Sequence, residues 1–351
     1  MSYKKMGILT LSLVLVLLIG VSAVTVIFDP YFHYHAPFSW QNYTLDNERY
    51  QNDGITRHFE YNAIITGTSM TENFKTSECD ALFGVQTIKI PYFGASFKEI
   101  NDSVVRALER NTKVEMVIRC LDTYRFLEAK DEMKYSEYPE YLYDDNIFND
   151  VKYLLNKDIL VSYVYPSVVG SLKGIKPNSF DDYANWHKDA VYGKDAVLSN
   201  YTRLEKAQSE QDLSESERET VIGTVKQNLI SVAKANPEVT FYYFLPPYSI
   251  VYWDSLYVQG ALNKNIEAQR IAIELLLECE NIKVFSFVDE FEKVCDLNNY
   301  KDNVHYREEI NSYILECMKN GEHLVTKENC EEYFVGVEKF YCEYSYDSIF
   351  E

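Results

Sequence analysis

The chain reads as an α/β protein: a three-layer domain on a mainly parallel five-stranded sheet, broken by a long aromatic insert and preceded by one transmembrane helix. Three observations predict this. Five short apolar runs alternate with helical patterns. An uncharged stretch long enough to cross a bilayer stands near the N-terminus. The composition, 46 % hydrophobic and 25 % charged, is that of a folded domain.

From Gly7 to Phe28 no residue carries a charge, a run of 22 residues where about 20 suffice to span the hydrocarbon core. Lys4 and Lys5 precede it, so the positive-inside rule leaves the N-terminus in the cytoplasm and the main domain outside. Small residues at Val21, Ser22 and Ala23 would also suit a cleaved signal peptide. The apolar run continues to Phe28, however, and is long for one. This favours an uncleaved signal anchor over residues 1–28, a single pass in the cell membrane. Tyr31, Phe32 and Tyr34 then fall at headgroup depth as an aromatic belt. Residues 29–60 show no period and read as a linker.

The α/β domain is expected over 61–320. Apolar runs at 62–66, 86–90, 115–119, 239–245 and 282–287 predict buried strands. Helices are predicted at 96–111, from Ser214 onward, and at 265–280; Ser214 and Glu217 have the spacing of a capping box. Strand and helix in alternation imply a sheet covered on both faces. Residues 123–212 interrupt the pattern and read as an insert capping the active-site edge. An acidic, aromatic tail, 321–351, receives no assignment.

With 34 Lys and Arg against 54 Asp and Glu, the formal net charge is −20, which excludes nucleic acid as the main partner. It also disfavours adhesion to anionic lipid or polyphosphate. An acidic surface with 30 Tyr and 19 Phe suits a neutral sugar polymer better. Seven Cys stand at 79, 120, 279, 295, 317, 330 and 342, without metal-ligand spacing. A disulfide among Cys317, Cys330 and Cys342 and a set of buried free thiols are both open. His33 and His35 lack a third ligand nearby, so no metal and no cofactor are expected.

Two motifs carry chemistry. In AIITGTSMTENF, Gly67 permits an abrupt turn after the first strand, and Ser69 would open the following helix at the carboxyl edge of the sheet. Backbone N–H groups there suit a developing oxyanion. In NNYKDNVHY, Asp302 and His305 are three apart, so one helical turn would let the carboxylate orient the imidazole, the base that a serine nucleophile needs.

Together the two motifs resemble the SGNH (GDSL-like) hydrolase superfamily, whose fold is flavodoxin-like. Within it the chain is similar to the membrane-anchored branch of bacterial envelope polysaccharide pathways, which includes the teichoic-acid D-alanylation and alginate acetylation proteins. The resemblance implies Ser69 as nucleophile, His305 as general base and Asp302 as its orienting carboxylate. For the oxyanion it implies the Ser69 N–H and Gly94, in IPYFGAS. The third family position, normally an Asn donor, is here Asp122. An ionised Asp cannot donate, so Arg119, Asn73 or a backbone group must substitute, or activity is low or absent. Trp186, His187 and Tyr248 are candidates for a sugar-stacking platform, with burial in the core as their alternative.

The resemblance implies a membrane-anchored serine esterase or acyltransferase acting on acyl groups of an envelope polysaccharide or acylated polymer, beside a membrane O-acyltransferase. A non-catalytic binding or assembly subunit of the same fold is the alternative. A purely structural surface protein with both motifs accidental is a third, weaker one.

Overall fold

The computed structural model describes residues 2–135 and 137–351. The chain divides into two compact units. One holds the N-terminal residues to Phe59 with Glu137–Ser179; the other holds the remainder from Glu60. The insert predicted at 123–212 is therefore shared between them.

The first unit begins with α1, Tyr3–Phe28, a helix long and apolar enough to cross a membrane and consistent with a membrane anchor. It ends at Asp29, in left-handed conformation with φ 31°. The buried Asp29 carboxylate accepts the N–H groups of His33, Tyr34 and His35 at 2.7–3.0 Å and the Tyr153 hydroxyl at 2.7 Å. Burial raises its carboxyl above the ordinary value against the pull of those donors.

Tyr31 and Phe32 do not form the expected belt. Both are buried in protein, Tyr31 among the rings of Tyr50, Tyr153 and Tyr163. The exposed aromatics of this stretch are Phe38 and Trp40, stacked at 5.5 Å. The predicted linker also contains a helix, α2, Glu48–His58. Its buried face includes Gln51, Asn52 and Asp53, so no apolar period announces it. Gln51 alone binds four backbone groups: the N–H of Asp46 and Asn47, and the carbonyls of Pro30 and Thr44.

The second unit carries a mixed sheet of six strands in the order β2-β1-β3-β4-β5-β6. These are β1 Ala63–Thr66, β2 Thr87–Lys89, β3 Met116–Cys120, β4 Thr240–Leu245, β5 Ile282–Ser286 and β6 Leu324–Val325. The first five are parallel, as predicted. β6 pairs antiparallel with β5 and corrects the five-stranded expectation. It is only two residues long and lies in the unassigned tail, which also forms a helix, Cys330–Glu343. Every residue of β1 and β3 is buried. Successive side chains of a strand point to opposite faces, so both faces are covered.

The helical predictions hold closely. The helix α3, Thr76–Phe83, precedes β2, and α4, Phe97–Arg110, follows it. Ser96 and Glu99 form a reciprocal capping box on α4; Ser214 and Glu217 do the same on Glu215–Val225. The third predicted helix runs over Leu262–Leu276. All seven cysteines are free, five of them buried, so the disulfide left open among Cys317, Cys330 and Cys342 does not form.

The chain enters β6 through His323, whose carbonyl accepts the Ser286 N–H at the end of β5 at 3.0 Å. Its ring lies 2.8 Å from Glu290 and 3.4 Å from Asp289, and these two carboxylates raise its pKa from 6.5 to about 9. The folded state thus holds this proton more tightly than the unfolded state does. The stabilisation is complete below pH 6.5 and is lost as pH rises towards about 9. In urea titrations across that window, the midpoint of the wild type should fall relative to His323→Gln and meet it at the alkaline end.

Candidate active site

In this sheet the chain leaves β1 for β2 on one side and returns to β3 on the other. The crevice beyond the carboxyl ends of β1 and β3 is therefore the topological switch point, where open α/β sheets place their sites. Gly67 makes the turn out of β1 at φ +155°; a Cβ there would lie 2.7 Å from the Thr71 methyl and 2.9 Å from the Cys120 Cβ. Only glycine lets the turn press this closely on β3. Ser69 then opens a single 3-10 turn, Ser69–Thr71, capped by Thr68. The longer helix expected here starts only at α3, so no sustained helix dipole acts on Ser69.

The Ser69 hydroxyl lies 2.7 Å from His305 Nε2, and His305 Nδ1 lies 2.8 Å from Asp302 Oδ2. The structure thus joins residues more than 230 positions apart. Asp302 and His305 are not on a helical turn, as the spacing suggested. They sit in a bend closed by the antiparallel bridge of Tyr300 with Tyr306 and by the Lys301 N–H to the His305 carbonyl at 3.0 Å. Asp302 Oδ1 also accepts the N–H groups of Val304 and His305, at 3.0 and 2.8 Å. Burial pushes the Asp302 carboxyl up, but the His305 ring and these N–H donors outweigh it and hold it below the ordinary value. The carboxylate is therefore ionised beside the imidazole.

Asp122, at the end of β3, is fully buried and acts only as an acceptor. It takes the Thr68 hydroxyl at 2.9 Å and the hydroxyl of Tyr248, which follows β4. Burial raises its carboxyl above the ordinary value against the attraction of Arg125 and the two hydroxyls. Tyr248 is itself buried against Asp122, so it offers no stacking platform to a sugar.

The candidate donors separate clearly. Arg119 gives its terminal nitrogens to the Asn228 and Phe97 carbonyls at 2.8 and 2.9 Å and is spent on packing. Gly94 has φ +64° and its carbonyl is held by Arg125 at 2.8 Å. Asn73 is 1 % exposed, and its side-chain Nδ2 has no partner among the described residues. Its Oδ1 is fixed by the Trp186 N–H at 3.1 Å.

Trp186 is better described as a wedge than as an open platform. Its indole N–H donates to the Ser69 carbonyl at 3.3 Å, its ring meets His305 edge-on at 5.3 Å, and the Lys301 ammonium lies 3.8 Å from its centroid. His187 turns away, with Nδ1 2.9 Å from the Tyr192 hydroxyl and Nε2 3.7 Å from Glu308. Asn311 holds the Met70 carbonyl at 3.1 Å; as one helical Asn, it carries no sequence signal. Beside His305 opens a cavity of about 710 Å³ lined by Trp186, Ser199, Asn200, Lys301 and Asn303 among others. No three His, Cys, Asp or Glu side chains converge to hold a metal among the described residues.

No family model matches this chain, and no curated protein matches it. A solved structure from Streptococcus pneumonia, named provisionally as a platelet activating factor, aligns with 78 % of this chain and 90 % of its own at 11 % identity and a TM-score of 0.41. A likeness this remote decides nothing about the chemistry of this chain.

Removing the Asp122 acceptor leaves two hydroxyls, those of Thr68 and Tyr248, without it. Asp122→Leu should therefore lower stability by roughly 2–4 kcal/mol, and Tyr248→Phe by about 1 kcal/mol more than a neutral surface control. Urea unfolding of the two variants beside the wild type measures both.

Proposed function

We propose that the second unit is an SGNH-type serine esterase or acyltransferase. The observation that carries this is the unbroken relay from Ser69 Oγ to His305 Nε2 to Asp302, at 2.7 and 2.8 Å. As Ser69 Oγ attacks the ester carbonyl, His305 Nε2 takes its proton, and Asp302 steadies the imidazolium. The tetrahedral intermediate collapses when His305 returns that proton to the departing alkoxide, leaving the acyl group on Ser69. Water or a sugar hydroxyl, deprotonated by the same nitrogen, then takes the acyl group and restores the serine.

Asp122 cannot serve the oxyanion, so we assign that role to the Ser69 N–H, the Gly94 N–H and the unpartnered Nδ2 of Asn73. The cavity borders His305 and Asp302, the side on which the alcohol leaves or enters. Its neutral hydrogen-bonding groups, Ser199, Asn200 and Asn303, suit a hydroxylated acceptor. Together with the anchor, this supports acyl groups of an envelope polysaccharide or acylated polymer as substrate, on the outer side of the cell membrane and beside a membrane O-acyltransferase. The alternative, a non-catalytic assembly subunit, draws its support from the acceptor-only Asp122 at the usual donor position.

A fluorophosphonate probe should label the wild type at Ser69 and fail to label Ser69→Ala. Labelling rate should fall on the order of 10⁴-fold in Asp302→Asn and about 10²- to 10³-fold in Asn73→Ala. Equal failure of wild type and Ser69→Ala to label would sink the catalytic reading in favour of the assembly subunit.

A further inference from the structure

The first unit contains a continuous helical run over 157–172, made of Lys157–Ile159, a π-helical turn Leu160–Val164, and Tyr165–Leu172. One face is packed: Ile159, Val164, Ser167 and Gly170 are buried. The opposite face should be polar if it met water. Instead it presents Val161, Tyr165 and Leu172, which are 60, 66 and 84 % exposed, and no charge occurs between Ile159 and Leu172. A 14-residue uncharged run is too short to span a bilayer but has the length of an interfacial segment.

The surroundings say what covers this face. The run gives Ile159 and Val164 to a buried cluster against which Phe28, the last residue of α1, also packs. Thr25 of α1 also donates to the Leu154 carbonyl at 3.1 Å. Trp40 packs edge-on against Phe28, and the Asn42 carbonyl accepts from the Ser167 hydroxyl while its N–H donates to Ser171 Oγ, so an exposed aromatic flanks both helices.

Length completes the argument. Beyond Lys5, α1 is bare of protein on every side over residues 6–20; from residue 21 one face is covered, while Ala23, Val24 and Ile27 stay exposed on the other. Fifteen residues at about 1.5 Å each cover roughly 22 Å, about 8 Å less than the roughly 30 Å hydrocarbon core. The remaining depth falls on residues 21–28, where the first unit is already packed on the helix. The local charge agrees: residues 147–176 carry four Lys and two Asp, against −20 for the whole chain, and all four Lys are exposed. That pattern suits anionic headgroups.

We infer that Val161, Tyr165 and Leu172 rest in the lipid bilayer, so that the run 157–172 is a second, interfacial membrane contact beside α1. This rests on reading α1 as a membrane anchor. The test uses the full chain in nanodiscs of phosphatidylcholine and phosphatidylglycerol, with Cys295→Ser and Cys342→Ser as background. Nitroxides are placed by Val161→Cys, Tyr165→Cys and Leu172→Cys, with Leu13→Cys reporting the anchor and Glu219→Cys reporting water. The ratio of oxygen to nickel-chelate accessibility should be several-fold higher at 161, 165 and 172 than at 219, approaching that at 13. Free access of the chelate to the three positions while 13 stays protected overturns the inference and leaves the anchor intact. Exclusion of both reagents overturns it in favour of a protein partner on this face. Chelate access at 13 overturns the anchor and the inference together.

Discussion

The site depends on a carboxylate that cannot be left alone. Asp122 is fully buried at the end of β3, and a bare charge there would cost several kcal/mol. Its hydrogen-bonding partners come from the ends of the two neighbouring strands: Thr68 after β1 and Tyr248 after β4. The three carboxyl ends of the central sheet are thereby tied to one point. Thr68 is also the cap of the turn that Ser69 opens, so the constraint on Asp122 passes directly to Ser69. Asp122 thereby holds the turn; under the proposed serine-esterase reading, in which an Asn would usually stand here as a donor, the oxyanion draws on other donors.

The parts of the molecule that were legible in the sequence share a physical cause. A strand at the centre of a covered sheet is rich in apolar residues, and the five parallel strands showed as short, mostly apolar runs even though β2, β3 and β5 each carry a Lys or an Arg. Capping boxes are local, and the one expected at Ser214 formed; a second, at Ser96, formed without having been read. The joining of Ser69 with Asp302 and His305 was legible because each follows a strand of one parallel sheet, whose carboxyl ends share an edge. What escaped was structure stabilised by polar burial. Helix α2 buries Gln51, Asn52 and Asp53, and Asp29 gathers three backbone N–H groups and a phenol; neither leaves an apolar period. The same blindness placed Tyr31 and Phe32 in lipid, because composition near an anchor does not distinguish a ring facing headgroups from one facing Tyr153. Strand β6, two residues long, falls below any pattern.

Whole-chain charge proved a poor guide to local surfaces. A net −20 argues against nucleic acid, which needs an extended basic face, and against anionic lipid or polyphosphate. It says little about the 30 residues from 147 to 176, where the balance reverses. Charge screened within about 8–10 Å is read by a partner patch by patch.

Trp186 ties the insert to the Ser69–His305 site and not merely to its rim. Its backbone N–H fixes Asn73 Oδ1, which turns the amide so that its other end is left without a protein partner. Its indole N–H holds the Ser69 carbonyl, and its ring edge bears on His305. One residue therefore touches Ser69 and His305 through its side chain and, through its backbone N–H, sets the orientation of Asn73, the proposed oxyanion donor. A hydrogen-bond donor aimed at the right place in a site is worth roughly 1–3 kcal/mol when it meets its acceptor. Under the proposed esterase reading, an oxyanion bound by the Asn73 nitrogen would gain that interaction only as the carbonyl becomes tetrahedral, which is the differential stabilisation that catalysis requires.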